Sequence, residues 1–426
     1  MSITFKNVKY IITSNIFLMF IYLIFFHKFH NNVCTTFSDY YTNRDQNNNC
    51  YYNPDSKLNV TEIIKRWQYS VEEYHLTTTD GYILTVFRIP FGKNLGVGAT
   101  RKPVLLQHGM FANSAGFINR GNKSLAFILA DAGFDVWLGN FRGTLYSKRH
   151  KEFSPTERKF WDFDTRELAL YDTPAIVDFI FNKTEQQLLY IGHSFGSAAA
   201  AMYGTIFPNS AKQKLKIIIA FAPSIHGNQS NIVLNFFLLF WRYTKSLLYM
   251  LTNGELYLKG HPNSSIREIL CTGYPFQMYL CQFLEMSVNG FSYSHSDPKT
   301  LPITIVQNVD LSSHRTLDHI IQCLEKRNWD YYDYGAESNQ LIYRTPYPPY
   351  YNLTLLRVPM LLVRAKNDLL ITKKEIEDIR KALSKESNLY DIFTIDSESF
   401  NHDDFIVARD VVPLLYEPIV NFIKKI

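Results

Sequence analysis

A serine near the middle of the chain carries the strongest chemical signal in the sequence. An apolar run over 188–191 leads into GHSFG at 192–196, and small residues follow at 197–200. A strand, then G-x-S-x-G, then a helix is the setting of a nucleophile elbow, in which flanking glycines let the helix and the adjacent strand pass close to the serine. The pattern therefore predicts Ser194 as a nucleophile on a sharp turn, beside unpaired N–H groups at a helix start.

A nucleophilic serine needs a general base and an acid that orients it. In sites of this type the acid and then the histidine follow the serine along the chain. His402 is the only histidine after His319, and it lies in a loop after the last predicted strand. Asp368 follows an earlier predicted strand after a short turn. Asp391 and Asp396 are alternatives, but position and order favour Asp368.

An oxyanion hole would complete such a site. Its second N–H is expected in the loop after an early strand, and the predicted strand 104–107 is followed by HGMF at 108–111. We therefore predict that the backbone N–H groups of Met110 and Phe195 stabilise the oxyanion while His402 takes the proton of Ser194. The sequence has no CxxC pair or Cys/His cluster, and we expect neither a metal nor a cofactor.

The elements that must position these residues alternate between short apolar β runs and helical segments. Strands this apolar are covered on both faces, and the repeated order strand, helix, strand predicts a mostly parallel α/β sheet with right-handed crossovers. A predicted hairpin, 74–78 with 82–89, precedes it. The apolar β runs lie at 104–107, 136–138, 188–191, 217–221, 359–363 and 392–395.

One long stretch, 226–345, interrupts this alternation with aromatic helical material such as 235–250 and with loops. We interpret it as an inserted cap. The predicted division of the chain is a signal peptide or membrane anchor at 1–33, a linker at 34–57, the first part of the core at 58–225, the cap and lid at 226–345, and the second part of the core at 346–426.

The N-terminus predicts entry into the secretory pathway. Lys6 and Lys9 precede an apolar run at 16–26, although no small-x-small cleavage site follows it and its length is near the lower limit for a span. We expect a secreted protein or one of the lysosomal or endomembrane lumen, or alternatively one anchored by this segment. Six Asn-x-Ser/Thr sequons agree with export: Asn59, Asn122, Asn182, Asn228, Asn263 and Asn352.

The composition excludes several classes of protein. With 46% hydrophobic and 19% charged residues over 426 positions, the chain can bury a large core, so disorder and coiled coil are excluded. The net charge of +5 is spread without a dense basic block, which argues against a nucleic-acid partner. Five cysteines leave at least one free or paired between molecules. We expect a monomer.

Several motifs together resemble the acid lipase family of gastric and lysosomal lipases, within the α/β-hydrolase superfamily. The resemblance implies an α/β-hydrolase fold and the hydrolysis of triacylglycerols or sterol esters at a lipid surface, beneath a mobile lid within the inserted cap. We predict that this lid is the segment at about 251–289, because it lies in the insertion, contains Cys271 and Cys281 and follows an aromatic helix. The resemblance also implies a lid disulfide between Cys271 and Cys281. The motifs are TTDGYIL at 78–84, QHG at 107–109, DVWLGNFRG at 135–143, the elbow, PPYYNLT at 348–354, NDLL at 367–370 and the Asn401, His402, Asp404, Phe405 set.

The chain departs from the family at a few positions. Phe195 replaces a residue that is usually Gln, and Met110 one that is usually Leu, but both act through the backbone N–H. The cap diverges most, so the preference between triacylglycerols and sterol esters stays open. A carboxylesterase or peptidase of the same fold and a non-catalytic secreted lipid-binding protein are the alternative functions.

Overall fold

The computed structural model describes residues 53–95, 100–225, 232–256, 271, 273–304, 309–383 and 389–426. Its strands are β1 (Glu72–Thr77), β2 (Ile83–Ile89), β3 (Pro103–Gln107), β4 (Asp135–Gly139), β5 (Leu188–His193), β6 (Leu215–Phe221), β7 (Glu255–Leu256), β8 (Ser312–Ser313), β9 (Met360–Arg364) and β10 (Leu389–Thr394).

The α-helices of four or more residues lie mostly between these strands. In chain order they are α1 (Val60–Arg66), α2 (Leu125–Asp131), α3 (Thr173–Thr184), α4 (Phe195–Ile206), α5 (Pro208–Lys214), α6 (Ile232–Thr252), α7 (Phe276–Asn289), α8 (His314–Lys326), α9 (Ala336–Tyr343), α10 (Lys373–Ala382), α11 (Asp404–Val407) and α12 (Glu417–Ile423).

Eight strands form one sheet in the order β1-β2-β4-β3-β5-β6-β9-β10. The hairpin of β1 and β2 and the contact of β2 with β4 are antiparallel, whereas every pair from β4 to β10 is parallel. The prediction of a mostly parallel α/β sheet is therefore confirmed. Because parallel strands end at the same edge, the loops after β3, β5, β9 and β10 meet there.

The central strands are buried on both faces, as their apolar composition predicts. Every residue of β3, β4 and β5 is buried. Helix α4 contacts both β5 and β6, and its run of four alanines, 198–201, has no exposed surface. Small side chains on that helix let it lie close to the sheet, which fixes the start of the helix next to the end of β5.

The segment between β6 and β9 contains α6, α7, α8 and α9, in keeping with the cap that we propose at 226–345. Its own small core joins α6 to α8 through Leu238 and Trp241, which pack with Leu317 and Ile321. The two-residue strands β7 and β8 pair there, although we expected no strand in this region. A pair this short shows no alternation of apolar residues in the sequence.

The structure describes only part of the N-terminal segments for which we made predictions. The predicted signal or anchor at 1–33 lies outside the described residues, and so does the linker up to residue 52. The end of the predicted linker is ordered, because Pro54–Lys57 form a helical turn in which buried Asp55 accepts a hydrogen bond from Trp67 Nε1 (2.8 Å). Among the described residues, no helix has the length and apolarity that crossing a membrane requires.

Candidate active site

Ser194 lies on a strained turn between β5 and α4. Its backbone φ is +52°, a region that a residue with a side chain rarely adopts. A Cβ on Gly192 would lie 2.5 Å from the backbone of residues 196 and 197, and one on Gly196 would lie 2.3 Å from the carbonyl oxygen of Gln107. The turn therefore forms only with glycine at both flanking positions, and it holds the Ser194 side chain, which is half-buried, at the edge of the sheet.

His402 lies between Ser194 and Asp368. Its Nδ1 is 2.9 Å from Oδ2 of Asp368, and its Nε2 is 2.9 Å from Oγ of Ser194. Because the carboxylate only accepts, Nδ1 carries the proton and Nε2 is free to accept the proton of the serine. The backbone N–H groups of Leu370 and Ile371 donate to Oδ1 of Asp368 (2.9 and 2.8 Å) and fix that carboxylate.

The two alternative acids have other partners. Asp391 is exposed on β10 and accepts from the N–H of Ile392 (2.7 Å), and Asp396 pairs with Lys366 (3.3 Å). The structure thus brings Asp368, and neither alternative, to the imidazole of His402.

The surroundings of His402 favour its protonated form. Burial lowers the pKa of the imidazole, but the charge of Asp368, its hydrogen bond and the nearby Asp403 outweigh burial and raise the pKa above the ordinary value. An imidazole of raised pKa is a stronger base toward the hydroxyl of Ser194, and its protonated form is stabilised when the proton has been transferred.

The predicted oxyanion donors belong to the loop after β3 and to the first residue of α4. The N–H groups of Met110 and Phe195 donate to no acceptor within the part of the chain that the structure describes. The loop after β3 passes close to the serine, since a Cβ on Gly109 would lie 3.1 Å from Cβ of Ser194. Free N–H groups close to Ser194 are what a developing oxyanion would need, so Met110 and Phe195 remain the candidates.

Buried His108 holds this loop. Its Nδ1 donates to the carbonyl oxygen of Gly109 (2.8 Å), and its Nε2 accepts from the N–H of Phe141 (3.1 Å). Burial lowers the pKa of His108 to about 4, so the ring is neutral and both contacts keep these roles.

Asp310 of the cap, which no motif in the sequence singles out, also supports the loop. Its carboxylate has no exposed surface, accepts from Asn113 Nδ2 (2.6 Å) and accepts from the N–H of Leu145 (3.0 Å). The N–H of Asp310 donates to the carbonyl oxygen of Phe111 (2.7 Å), whose φ is +56°. A single Asp about 200 residues from its partners has no spacing by which the sequence could reveal it.

A cavity of about 600 Å³ opens beside Ser194 and His402. Phe195 and Met110, the two residues that depart from the family pattern, both line it. Much of the rest of its wall is apolar. It comes from α6, from α8 and from Trp329, which lies just after α8; the α6 and α8 residues are Leu234, Leu238, Leu317, Ile321 and Leu324. The site therefore places the candidate nucleophile Ser194 beside room for an apolar chain.

The end of α7 joins the cap to both loops that carry the triad candidates. The carbonyl oxygen of Asn289 accepts from the N–H groups of Leu369 and His402 (both 3.3 Å). Asn401 Nδ2 donates to the carbonyl oxygen of Gly290 (2.7 Å), which has φ +115° and lies so close to Asn367 that no side chain would fit. A movement of α7 would consequently shift the two loops that carry Asp368 and His402.

The predicted disulfide is present, and four of the six sequon asparagines lie within the described residues. Cys271 and Cys281 form a disulfide, and Cys323, which lines the cavity, is the free thiol among the described cysteines. Of the sequon asparagines, Asn59, Asn122 and Asn182 are exposed and Asn352 is half-buried, whereas Asn228 and Asn263 lie outside the described residues. The described residues contain no group of side chains that could hold a metal ion.

Comparison with known proteins gives two family matches. The family described as "Partial alpha/beta-hydrolase lipase region" matches residues 60–121, and the family described as "alpha/beta hydrolase fold" matches residues 102–249. Lipase member N of Mus musculus is 35% identical over 378 residues, which cover 88% of this chain and 92% of that protein. Gastric triacylglycerol lipase of Homo sapiens is 35% identical over 379 residues, which cover 87% of this chain and 92% of that protein.

Among solved structures, a soluble variant of monoglyceride lipase from Saccharomyces cerevisiae has a similar fold. Its TM-score is 0.50 at 14% identity, over 84% of this chain and 96% of that chain. At this identity the likeness concerns the fold alone.

Proposed function

Because the chain belongs to the acid lipase family of α/β hydrolases and is a carboxylic ester hydrolase, we propose that it is a lipase that hydrolyses fatty-acid esters through Ser194, His402 and Asp368. Its substrates in this proposal are triacylglycerols, sterol esters or both, the product is a free fatty acid, and the context is lipid catabolism. The observation that carries the proposal is the unbroken chain of hydrogen bonds from Asp368 through His402 to Ser194 at the mouth of an apolar cavity.

The reaction would proceed through an acyl-enzyme. His402 Nε2 takes the proton of Ser194 as Oγ attacks the ester carbonyl carbon, and Asp368 keeps the imidazole in the required tautomer. The N–H groups of Met110 and Phe195 stabilise the tetrahedral oxyanion. His402 then gives the proton to the oxygen of the leaving alcohol, and a water molecule activated by the same imidazole releases the fatty acid.

The cap supports action at a lipid surface. Helix α6 exposes large apolar side chains along its length, among them Phe236 (73% exposed), Tyr243 (80%) and Met250 (68%). Helix α7 adds Phe276, Tyr279, Leu280 and Phe283. A contiguous exposed apolar surface is unfavourable in water and is stabilised when lipid covers it. We include in the proposal that α7, with the disulfide at Cys281, belongs to a lid; residues 257–270 of the predicted lid lie outside the described residues.

We also propose that the protein acts in the secretory pathway, either secreted or in the lumen of a lysosome or another endomembrane compartment. Lys6, Lys9 and the apolar run at 16–26 support this, as do the exposed sequon asparagines. An N-terminal membrane anchor is the alternative that the same segment allows.

A substrate panel tests the proposed function. Short- and long-chain acylglycerols, a sterol ester and a peptide are assayed with wild type, Ser194→Ala and His402→Ala, and circular dichroism checks that the variants fold. We expect wild type to hydrolyse long-chain esters and both variants to have lost this activity. Long-chain hydrolysis retained by Ser194→Ala would overturn the mechanism, and cleavage of the peptide alone would identify a peptidase of the same fold.

A further inference from the structure

Part of the cavity wall beside Ser194 is polar, although much of the wall is apolar. Glu285 and Asn289 of α7 and Asp403, the residue after His402, all line the cavity. The mechanism proposed above gives none of their side chains a contact with the substrate. They face the space in which an ester would lie during the reaction, so they can contact the substrate itself.

The side chain of Asp403 is held in place and keeps one acceptor. Asn289 donates from Nδ2 to Oδ2 of Asp403, and the N–H of Asp403 donates to Oδ1 of Asn401 (2.9 Å). Over the described ranges of the chain, no group donates to the second carboxylate oxygen, Oδ1 of Asp403. The residue is half-buried and lines the cavity, so this oxygen is available to a molecule bound there.

The charge state of Asp403 suits a hydroxyl partner. Burial raises the pKa of Asp403 to about 7, and the charge of Glu285 adds to the rise. Near neutral pH the group is therefore present both as a carboxylate, which accepts a hydrogen bond, and as a carboxylic acid, which also donates one. A hydroxyl group can pair with either form.

The order of the reaction places the alcohol part of the ester beside Asp403. His402 delivers its proton to the oxygen of the leaving alcohol, so that alcohol lies against the loop that carries His402. Asp403 is the next residue of this loop. The acyl chain, by contrast, finds its apolar contacts on α6 and α8, where Leu238, Leu317 and Ile321 line the cavity.

We propose that Asp403, held by Asn289, determines specificity by binding a free hydroxyl group on the alcohol part of the ester. Mono- and diacylglycerols carry such a hydroxyl, whereas triacylglycerols and sterol esters leave the carboxyl group desolvated without a partner. Beyond the triacylglycerols and sterol esters of the proposed function, the enzyme should accordingly also hydrolyse mono- and diacylglycerols, and with a higher kcat/KM. This inference rests on the proposed function, because it concerns the alcohol side of the same site.

Two soluble esters of one acid test the inference. Glycerol monobutyrate and propyl butyrate share an acyl group and a three-carbon alcohol, but only the first has free hydroxyls. The measurement is the ratio of their kcat/KM values in wild type, Asp403→Leu, Asp403→Asn and the control Asp391→Leu, which changes an exposed aspartate. We expect the ratio to fall about tenfold in Asp403→Leu, to fall less in Asp403→Asn, which keeps an acceptor oxygen, and to stay unchanged in Asp391→Leu.

The outcomes separate the inference from the proposed function. If Asp403→Leu slows both esters by the same factor, the residue only positions the His402 loop and the inference is overturned. If wild type hydrolyses no ester faster than Ser194→Ala does, the proposed function fails instead. Should Asp403→Leu not fold, Asn289→Ala, which releases the carboxylate without removing it, provides the comparison, and an unchanged ratio in that variant overturns the inference as well.

Discussion

The imidazole of His193 donates a hydrogen bond from Nε2 to the backbone carbonyl oxygen of His402 (2.9 Å). The residue before the candidate nucleophile thus holds the loop of the candidate base, and the two rings lie 5.2 Å apart. Burial, together with the charge of His402, lowers the pKa of His193 to about 3. His193 is therefore neutral around pH 7 and keeps its role as a donor to this carbonyl oxygen.

Replacement of His193 by phenylalanine should slow the chemical step. His193→Phe keeps an aromatic ring beside His402 but removes the donor to its carbonyl oxygen. The loop then loses one buried hydrogen bond, worth about 1 kcal/mol, so we expect kcat to fall several-fold to tenfold while KM changes little. Steady-state kinetics on a soluble ester measure this. His193→Gln, which can still donate, should stay closer to wild type, and equal kcat values for the two variants would contradict the role.

The second prediction concerns the acid of the triad. Asp368→Asn should lower kcat by roughly 10⁴, because an asparagine can donate to Nδ1 and hold His402 in the tautomer that cannot accept the serine proton. Asp391→Asn and Asp396→Asn are the controls, and both should retain nearly wild-type rates, since those side chains contact Ile392 and Lys366. A large loss in either control with Asp368→Asn active would reassign the acid.

The parts of the site that could be predicted from the sequence are those with a local cause. The turn at Ser194 is fixed by glycines two residues away on either side, and a short stretch of sequence reveals it. His402 and Asp368 follow from chain order once the strands are assigned. Strands β3, β4, β5, β6 and β9 could be assigned because each contains an uninterrupted apolar run, and the predicted mostly parallel sheet is confirmed.

The remaining parts depend on how the cap packs on the core. Asp310 supports the loop of Met110, and Asn289 contacts the loop of His402, but both reach these loops only through tertiary packing. Single polar residues in such segments have no periodicity and no fixed spacing to their partners. The pairing of β7 with β8 could not be predicted for the same reason.

Acid should destabilise the fold in part through His108. Its pKa is lowered to about 4 in the folded chain by burial but is near 6.5 in the unfolded chain, so only the unfolded state takes up the proton between these values. Stability is therefore lost as the pH falls below about 6.5, by about 2 kcal/mol between pH 7 and pH 5 for this group. Urea unfolding at both pH values should show that His108→Gln, whose side chain does not titrate, loses correspondingly less free energy of unfolding between pH 7 and pH 5.

The comparison of wild type with His108→Gln is needed because other groups act in the opposite direction. Burial raises the pKa of Asp403 to about 7 and that of Asp404 to about 6, so both carboxyl groups favour the folded state at low pH. The difference between the two proteins cancels these contributions. If His108→Gln lost as much free energy of unfolding between pH 7 and pH 5 as wild type, His108 would not be buried in the neutral form.

The exposed apolar surface of α6 should matter only when the substrate is at a lipid surface. Phe236→Ser combined with Tyr243→Ser removes two side chains that lipid would cover, each worth about 1.5 to 3 kcal/mol of burial, so activity on an insoluble long-chain ester should fall at least tenfold. Hydrolysis of a short soluble ester should not change, because neither residue is among those that line the cavity. Tyr390→Ser, at an exposed tyrosine on β10, is the matched control and should leave both activities unchanged.

The same assay tests the lid. Wild-type activity on the long-chain ester should rise above the solubility limit of that ester, because opening exposes apolar surface that is stabilised only when lipid covers it. The disulfide of Cys271 and Cys281 constrains the segment that leads into α7, and α7 ends on the loops of Leu369 and His402. Reduction of this bond should therefore change the response to the lipid surface more than it changes hydrolysis of the soluble ester. Equal activity on both esters, insensitive to reductant, would mean that no lid operates and that the protein is an esterase without interfacial activation.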